Sequence, residues 1–245
     1  MHVLDNPAWS ALTGPQRALG ESAGGVARFT PEISAFAGFA DVPMSRDWSS
    51  MARLVGPGVV VVTTGCTSTP PDAWEVVFDG TGVQLTGEAF VDDPAPKPPD
   101  GVVVAPLGAP DADDMLELVA RTRPGPFAPR SWAFGGYVGV RRAGRLVAMA
   151  GERMRPAGWA EISAVATHPA HRRQGLAELL VRVVAAGIVA RGEIPVLHAS
   201  EDNVGAIRLY ESMGFTVRRR TRFLATRAPG TATGRPHPLI PSAPD

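Results

Sequence analysis

The stretch AEISAVATHPAHRRQGLAELLVRVVAAGIVAR, residues 160–191, changes its hydrophobic period partway along. Ala160 to Val165 has the composition of a strand with a buried face. Pro169 ends it, because proline fixes φ and has no N–H to donate. From Gly175 to Arg191 the apolar residues Leu176, Leu179, Leu180, Val183, Val184 and Ile188 recur at helical spacing, which predicts a helix covering a sheet with one apolar face. Between the two stands Arg172-Arg173-Gln174-Gly175-Leu176-Ala177. The first N–H groups of a helix lack intrahelical partners and point outward from a positive end. Small residues at Gly175 and Ala177 let a diphosphate approach the main chain, and Arg172 and Arg173 add charge. A plain glycine-containing helix start with solvated arginines fits these six residues in isolation equally well.

Working outward, Tyr137 to Val140 and Leu146 to Ala150 flank Ala143-Gly144 and read as a hairpin. Val102 to Ala105 reads as a strand. A helix is predicted from about Ala112, with Met115, Leu116, Leu118 and Val119 on one side and Asp111 as its cap. Beyond the central stretch, Pro195 to Ala199 is predicted strand, Val204 to Ser212 helix and Thr216 to Leu224 strand. Toward the N-terminus, Val59 to Thr63 is β-branched and apolar. Trp74 to Phe78 and Val83 to Leu85 read as two strands turned at Asp79-Gly80, and a helix near Trp9 is interrupted at Gly14-Pro15.

Two proline-rich segments divide the chain. Residues 91–101 carry Pro94, Pro96, Pro98 and Pro99 and read as a linker, and residues 228–245 read as a disordered polar tail. The expected organisation is an N-terminal mixed α/β lobe over residues 1–90 and a second domain over 102–227. Equal totals of 24 Lys plus Arg and 24 Asp plus Glu give zero net charge, so nothing in the bulk charge draws the chain toward nucleic acid or anionic lipid. Cys66, the single cysteine, allows no intrachain disulfide and no cysteine-based metal cage. The apolar runs at Val59 to Val62 and Val102 to Val104 are far shorter than the roughly 18 residues a membrane span needs. The opening residues lack a basic segment followed by an apolar one, so a cytoplasmic protein without a secretory signal is expected.

Glu161-Ile162-Ser163-Ala164-Val165-Ala166-Thr167-His168-Pro169 with Arg172-Arg173-Gln174-Gly175-Leu176-Ala177 resembles the acetyl-CoA-binding core of the GNAT acetyltransferases. Asn203, Leu209-Tyr210 and Gly214-Phe215 resemble that family's next motif, in the same order. The resemblance is strong from Trp159 to Phe215 and weaker back to Val102. It implies an α/β (α+β) GNAT fold: a mixed, mostly antiparallel, splayed sheet flanked by helices, preceded here by a smaller mixed α/β lobe that is degenerate or unrelated. By the same resemblance, Val165, Ala166 and Thr167 would offer main-chain contacts to pantetheine. Arg172, Arg173, Gln174, Gly175, Leu176 and Ala177 would hold the pyrophosphate, and Asn203 would touch the cofactor. Tyr210 would be the acid for the leaving thiolate, because a phenol can protonate it. Read without the resemblance, Tyr210 is a core aromatic of the amphipathic helix with its hydroxyl satisfied. Glu161 would be the base, by its offset of eleven residues before Arg172; the other reading is a strand carboxylate pairing with Arg153 or Arg155.

The function this implies is transfer of an acetyl group from acetyl-CoA to a primary amine, on a small molecule or a peptide, with no metal. The alternative is an acyl-CoA-binding sensor without catalysis. His168 and His171 lack a nearby third ligand in the sequence and read as a surface loop. Arg218, Arg219, Arg220 and Arg222 stay unassigned. The acceptor and the oligomeric state, a homodimer included, are left open.

Overall fold

The computed structural model describes residues 2–90, 98 and 101–231. Most of the expected linker and the tail beyond residue 231 lie outside them. The chain opens with helix α1 (Pro7–Leu12), capped by the Asn6 side chain with proline in its first turn. A small antiparallel sheet follows, β1 (Gly20–Ala23), β2 (Val26–Phe29) and β3 (Ala37–Phe39), and then α2 (Ser45–Val55). The remaining strands are β4 (Val60–Thr64), β5 (Glu75–Thr86), β6 (Val104–Pro106), β7 (Val138–Arg142), β8 (Arg145–Glu152), β9 (Trp159–Thr167), β10 (Ile194–Ser200) and β11 (Thr216–Arg227). Helices α3 (Ala112–Thr122), α4 (Leu176–Ala190) and α5 (Val204–Ser212) connect them.

These eight strands form one sheet in the order β4-β11-β5-β10-β9-β8-β7-β6, antiparallel throughout except for the β9–β10 pair. A parallel neighbour requires a crossover, and α4 is that crossover. It buries Leu176, Leu179, Leu180, Val184 and Ile188. Successive strand residues face opposite sides. Ala148 and Ala150 therefore meet the α4 cluster, while Met149 joins Met115, Leu118 and Val119 of α3 on the other face.

Three expectations change. Asp79-Gly80 does not turn the chain: β5 is a single strand of 12 residues, kept extended because β11, also 12 residues, pairs along it from Arg227–Glu75 to Thr216–Thr86. Asp111 stands at the α3 cap position but does not cap it; its carboxylate accepts from the Gly108 N–H and pairs with Arg141. Finally, one sheet runs through both stretches that the prolines set apart. Strand β5, from before the linker, lies between β10 and β11, from after it.

Candidate active site

Strands β9 and β10 pair only from Trp159–Ile194 to Ile162–Leu197. From His198 onward β10 pairs with β5 alone, and from Ser163 onward β9 has β8 alone. The divergence has a local cause. Between the pairs Gly151–Ser163 and Met149–Ala166, β9 spends one more residue than β8, and Ala164 takes φ 51°. An extra residue of this kind is a β-bulge, which bends the strand that carries it. Main-chain groups left unpaired on one side of a strand need another partner, and an extended ligand can supply it. The gap opens into a cavity of about 830 Å³ lined by Val165, Ala166 and Thr167.

At one end of the gap the chain passes through a 3-10 turn at Pro169–His171 and enters α4. Gly175 is the residue before the helix, at φ 73°, a conformation glycine adopts without strain, and no side chain caps the helix start. The first N–H groups of α4 are thus open to an anion. Arg172, Arg173, Gly175, Leu176 and Ala177 all line the cavity; exposed Gln174 does not. Asn203 reaches it too, its side-chain oxygen accepting from the Ala206 N–H at 3.2 Å to cap α5. Tyr210, 6 % exposed, turns its ring to the same space. Burial raises its pKa to about 12, and among the described residues no hydrogen bond reaches its hydroxyl.

Glu161 is placed otherwise. It is 1 % exposed and does not line the cavity. Its oxygens accept from Arg153 Nε at 2.9 Å and Nη2 at 2.5 Å, the two-pronged geometry that a guanidinium offers a carboxylate. His198 Nδ1 lies 2.7 Å from Oε1. Burial opposes ionisation, yet the adjoining Arg153 and His198 outweigh it and bring the carboxyl down to about 2. Gln84 fixes the ring beyond. Its carbonyl accepts from Arg218 and its amide donates to the Leu4 carbonyl, so the 3.0 Å contact to His198 Nε2 is an N–H donated to that ring nitrogen. His198 therefore carries its proton on Nδ1, toward Glu161.

The wall opposite β9 comes from residues that no motif had marked. Val62, Ala225 and Phe78 are successive partners across β4, β11 and β5, so their side chains share one face. Phe223 lies two positions along the same face, its ring 5.5 Å from that of His198. Gly80 lets the Phe78 ring lie over the backbone, because a Cβ there would come 2.5 Å from that ring and displace it. Phe36 and the 122–126 loop complete the wall. The basic run of β11 is accounted for by pairing: Arg218 and Arg219 with Asp5, Arg220 with Glu201, Arg222 with Asp79.

Among the described residues no cluster of His, Cys, Asp or Glu is arranged to hold a metal, and no helix is long and apolar enough to cross a membrane. Residues 137–224 match the family described as FR47-like protein. No curated protein matches the chain by sequence. Among solved structures, a protein from Novosphingobium aromaticivorans assigned to the GNAT family of acetyltransferases is 38 % identical, with 95 % of this chain and 100 % of that one covered and a TM-score of 0.81. A GCN5-related N-acetyltransferase from Kribbella flavida shares the fold at 20 % identity and TM-score 0.58, over 91 % of this chain and 95 % of that one. Another GCN5-related N-acetyltransferase, from Sphaerobacter thermophilus, does so at 17 % and 0.51, over 84 % and 78 %. With the splayed sheet, the open helix start and a relative matched at this identity over its full length, the chain belongs to the GNAT family of acetyltransferases.

Proposed function

We propose that the protein moves an acetyl group from acetyl-CoA directly to a primary amine. One observation carries this reading: the gap between β9 and β10 joins an unpaired strand edge, an open helix start flanked by Arg172 and Arg173, and Tyr210, whose hydroxyl has no partner among the described residues, around a single cavity. The residues fit the donor. The edge Val165–Thr167 can pair with the amides of pantetheine, and the N–H groups at Gly175 to Ala177 can take the pyrophosphate with Asn203 alongside.

In this reading the amine nitrogen bonds to the acetyl carbon as the carbon–sulfur bond breaks. A main-chain N–H near Ala166 polarises the thioester carbonyl, and Tyr210, neutral at ordinary pH, gives its proton to the departing thiolate. The geometry supports a positioning role for Glu161 over the base role that the resemblance implied. A carboxylate already held by Arg153 and His198, and so acidic, is a poor resting place for the ammonium proton, which leaves to cavity water instead. Purified protein mixed with acetyl-CoA should release free thiol at a rate that depends on added amine. Tight binding without amine-dependent release would favour a sensor.

A further inference from the structure

The cavity divides into two chemically different halves. The half beside α4 holds the features assigned to the donor. The other is walled by Phe36, Val62, Phe78 and Phe223, most of them contributed by the N-terminal stretch. Within it stands the guanidinium of Arg153, 4.4 Å above the Phe36 ring. Glu161 occupies its Nε and Nη2, and among the described residues Nη1 has no partner. Gln16 fixes the main chain on either side, donating to the Arg153 carbonyl at 2.7 Å and accepting from the Arg155 N–H at 2.9 Å, so the guanidinium is held in place. Arg123, on the 122–126 loop, also lines the cavity and makes no ion pair among the described residues. Among the described residues the one carboxylate lining the cavity is Glu178, in the first turn of α4 and already paired with Arg182 at 3.1 Å.

An acceptor with several positive charges would find no counter-charge in this half and would meet two arginines there. An acceptor with an apolar body and one anionic group would fill the aromatic wall and engage the free edge of Arg153. We propose that the acceptor is an α-amino acid with an apolar side chain, its carboxylate bound at Arg153 Nη1 and its side chain against Phe36, Phe78 and Phe223. This rests on the transfer reading above and narrows it.

The test measures kcat/KM by thiol release for phenylalanine and leucine, for phenethylamine and isopentylamine, which are the same molecules without the carboxylate, for spermidine, and for a short peptide with a free N-terminus. Acetyl-CoA affinity is followed separately by calorimetric titration. The amino acids should exceed their decarboxylated counterparts by about 10- to 100-fold, the size of one hydrogen bond to a charged group, with spermidine poorest. Arg153→Lys keeps a cation beside Glu161 but loses the forked edge. It should bring each pair to within a few-fold while acetyl-CoA affinity holds. Phe78→Ala, at a partly exposed strand position, should lower kcat/KM for phenylalanine and leucine by about 10-fold while acetyl-CoA affinity holds, and is the variant that remains informative if Arg153→Lys does not fold.

Equal or better turnover of the decarboxylated amines, of spermidine or of the peptide would overturn the inference, as would acetyl-CoA binding with no turnover of either amino acid. Failure of the native protein to bind acetyl-CoA would instead overturn the transfer reading, and this inference with it.

Discussion

Burial pushes the Tyr210 phenol up to about 12, whereas Glu161, buried more deeply still, is kept ionised because Arg153 and His198 lie against it. The two residues should therefore fail in different ways. Tyr210→Phe removes only the hydroxyl and should lower kcat by about 100-fold or more, in the range typical of a lost general acid, while acetyl-CoA binding changes little; thiol-release kinetics and titration separate the two. Glu161→Gln leaves Arg153 buried without its counter-ion and should cost about 3–5 kcal/mol, read from urea unfolding. The pH dependence has a definite sign. The Glu161 pKa is lower folded, about 2, than its ordinary 4.5, so the stability it contributes is present above pH 4.5 and drains away as pH falls through about 2. That contribution is on the order of 3 kcal/mol, and Glu161→Gln should flatten this part of the acid-unfolding profile.

At the scale of elements, the turn into α4 is the proposed donor site. Gly175 sits at φ 73°, and a Cβ there would meet nothing within 4 Å, so substitution disturbs conformation and charge before packing. Gly175→Glu should abolish acetyl-CoA binding while the fold survives, whereas Gly175→Asn, which tolerates this conformation better, should weaken it modestly; calorimetric titration with circular dichroism as a fold check distinguishes them. Much of this region was legible in the sequence. Helices α4 and α5 fall where the spacing of Leu176 to Ile188 and of Val204 to Ser212 puts them, because each depends on residues a few positions apart. The bulge at Ala164 was not legible. It exists only relative to the register with β8, and nothing in the Ser163-Ala164-Val165 string encodes its neighbour. Asp79-Gly80 misled for the same reason: a turn-forming pair stays extended when β11 pairs on one side of it and keeps doing so to the end of the strand.

Across the whole molecule, the N-terminal stretch is bound into the sheet that carries the site. Strand β5 lies between β10 and β11, and Asp5 and Leu4 are tied through Arg218, Arg219 and Gln84. Removing residues before 101 would expose both edges of β11 and one edge of β10, with their apolar faces. The remaining piece should be insoluble or molten, and recovering it as a stable monomer with a cooperative unfolding transition would contradict this. The same arrangement explains why the aromatic wall escaped the sequence reading. Phe36, Val62, Phe78 and Phe223 are brought together by pairing across β4, β11 and β5, and in the sequence each is an ordinary core residue.

Amide hydrogen exchange with and without acetyl-CoA reads the gap itself. Binding should slow exchange at the unpaired edge from Ser163 to Thr167 and at the open helix start from Gly175 to Ala177, with little change in β6 and β7. Protection confined to another surface, or none at saturating acetyl-CoA, would contradict the account.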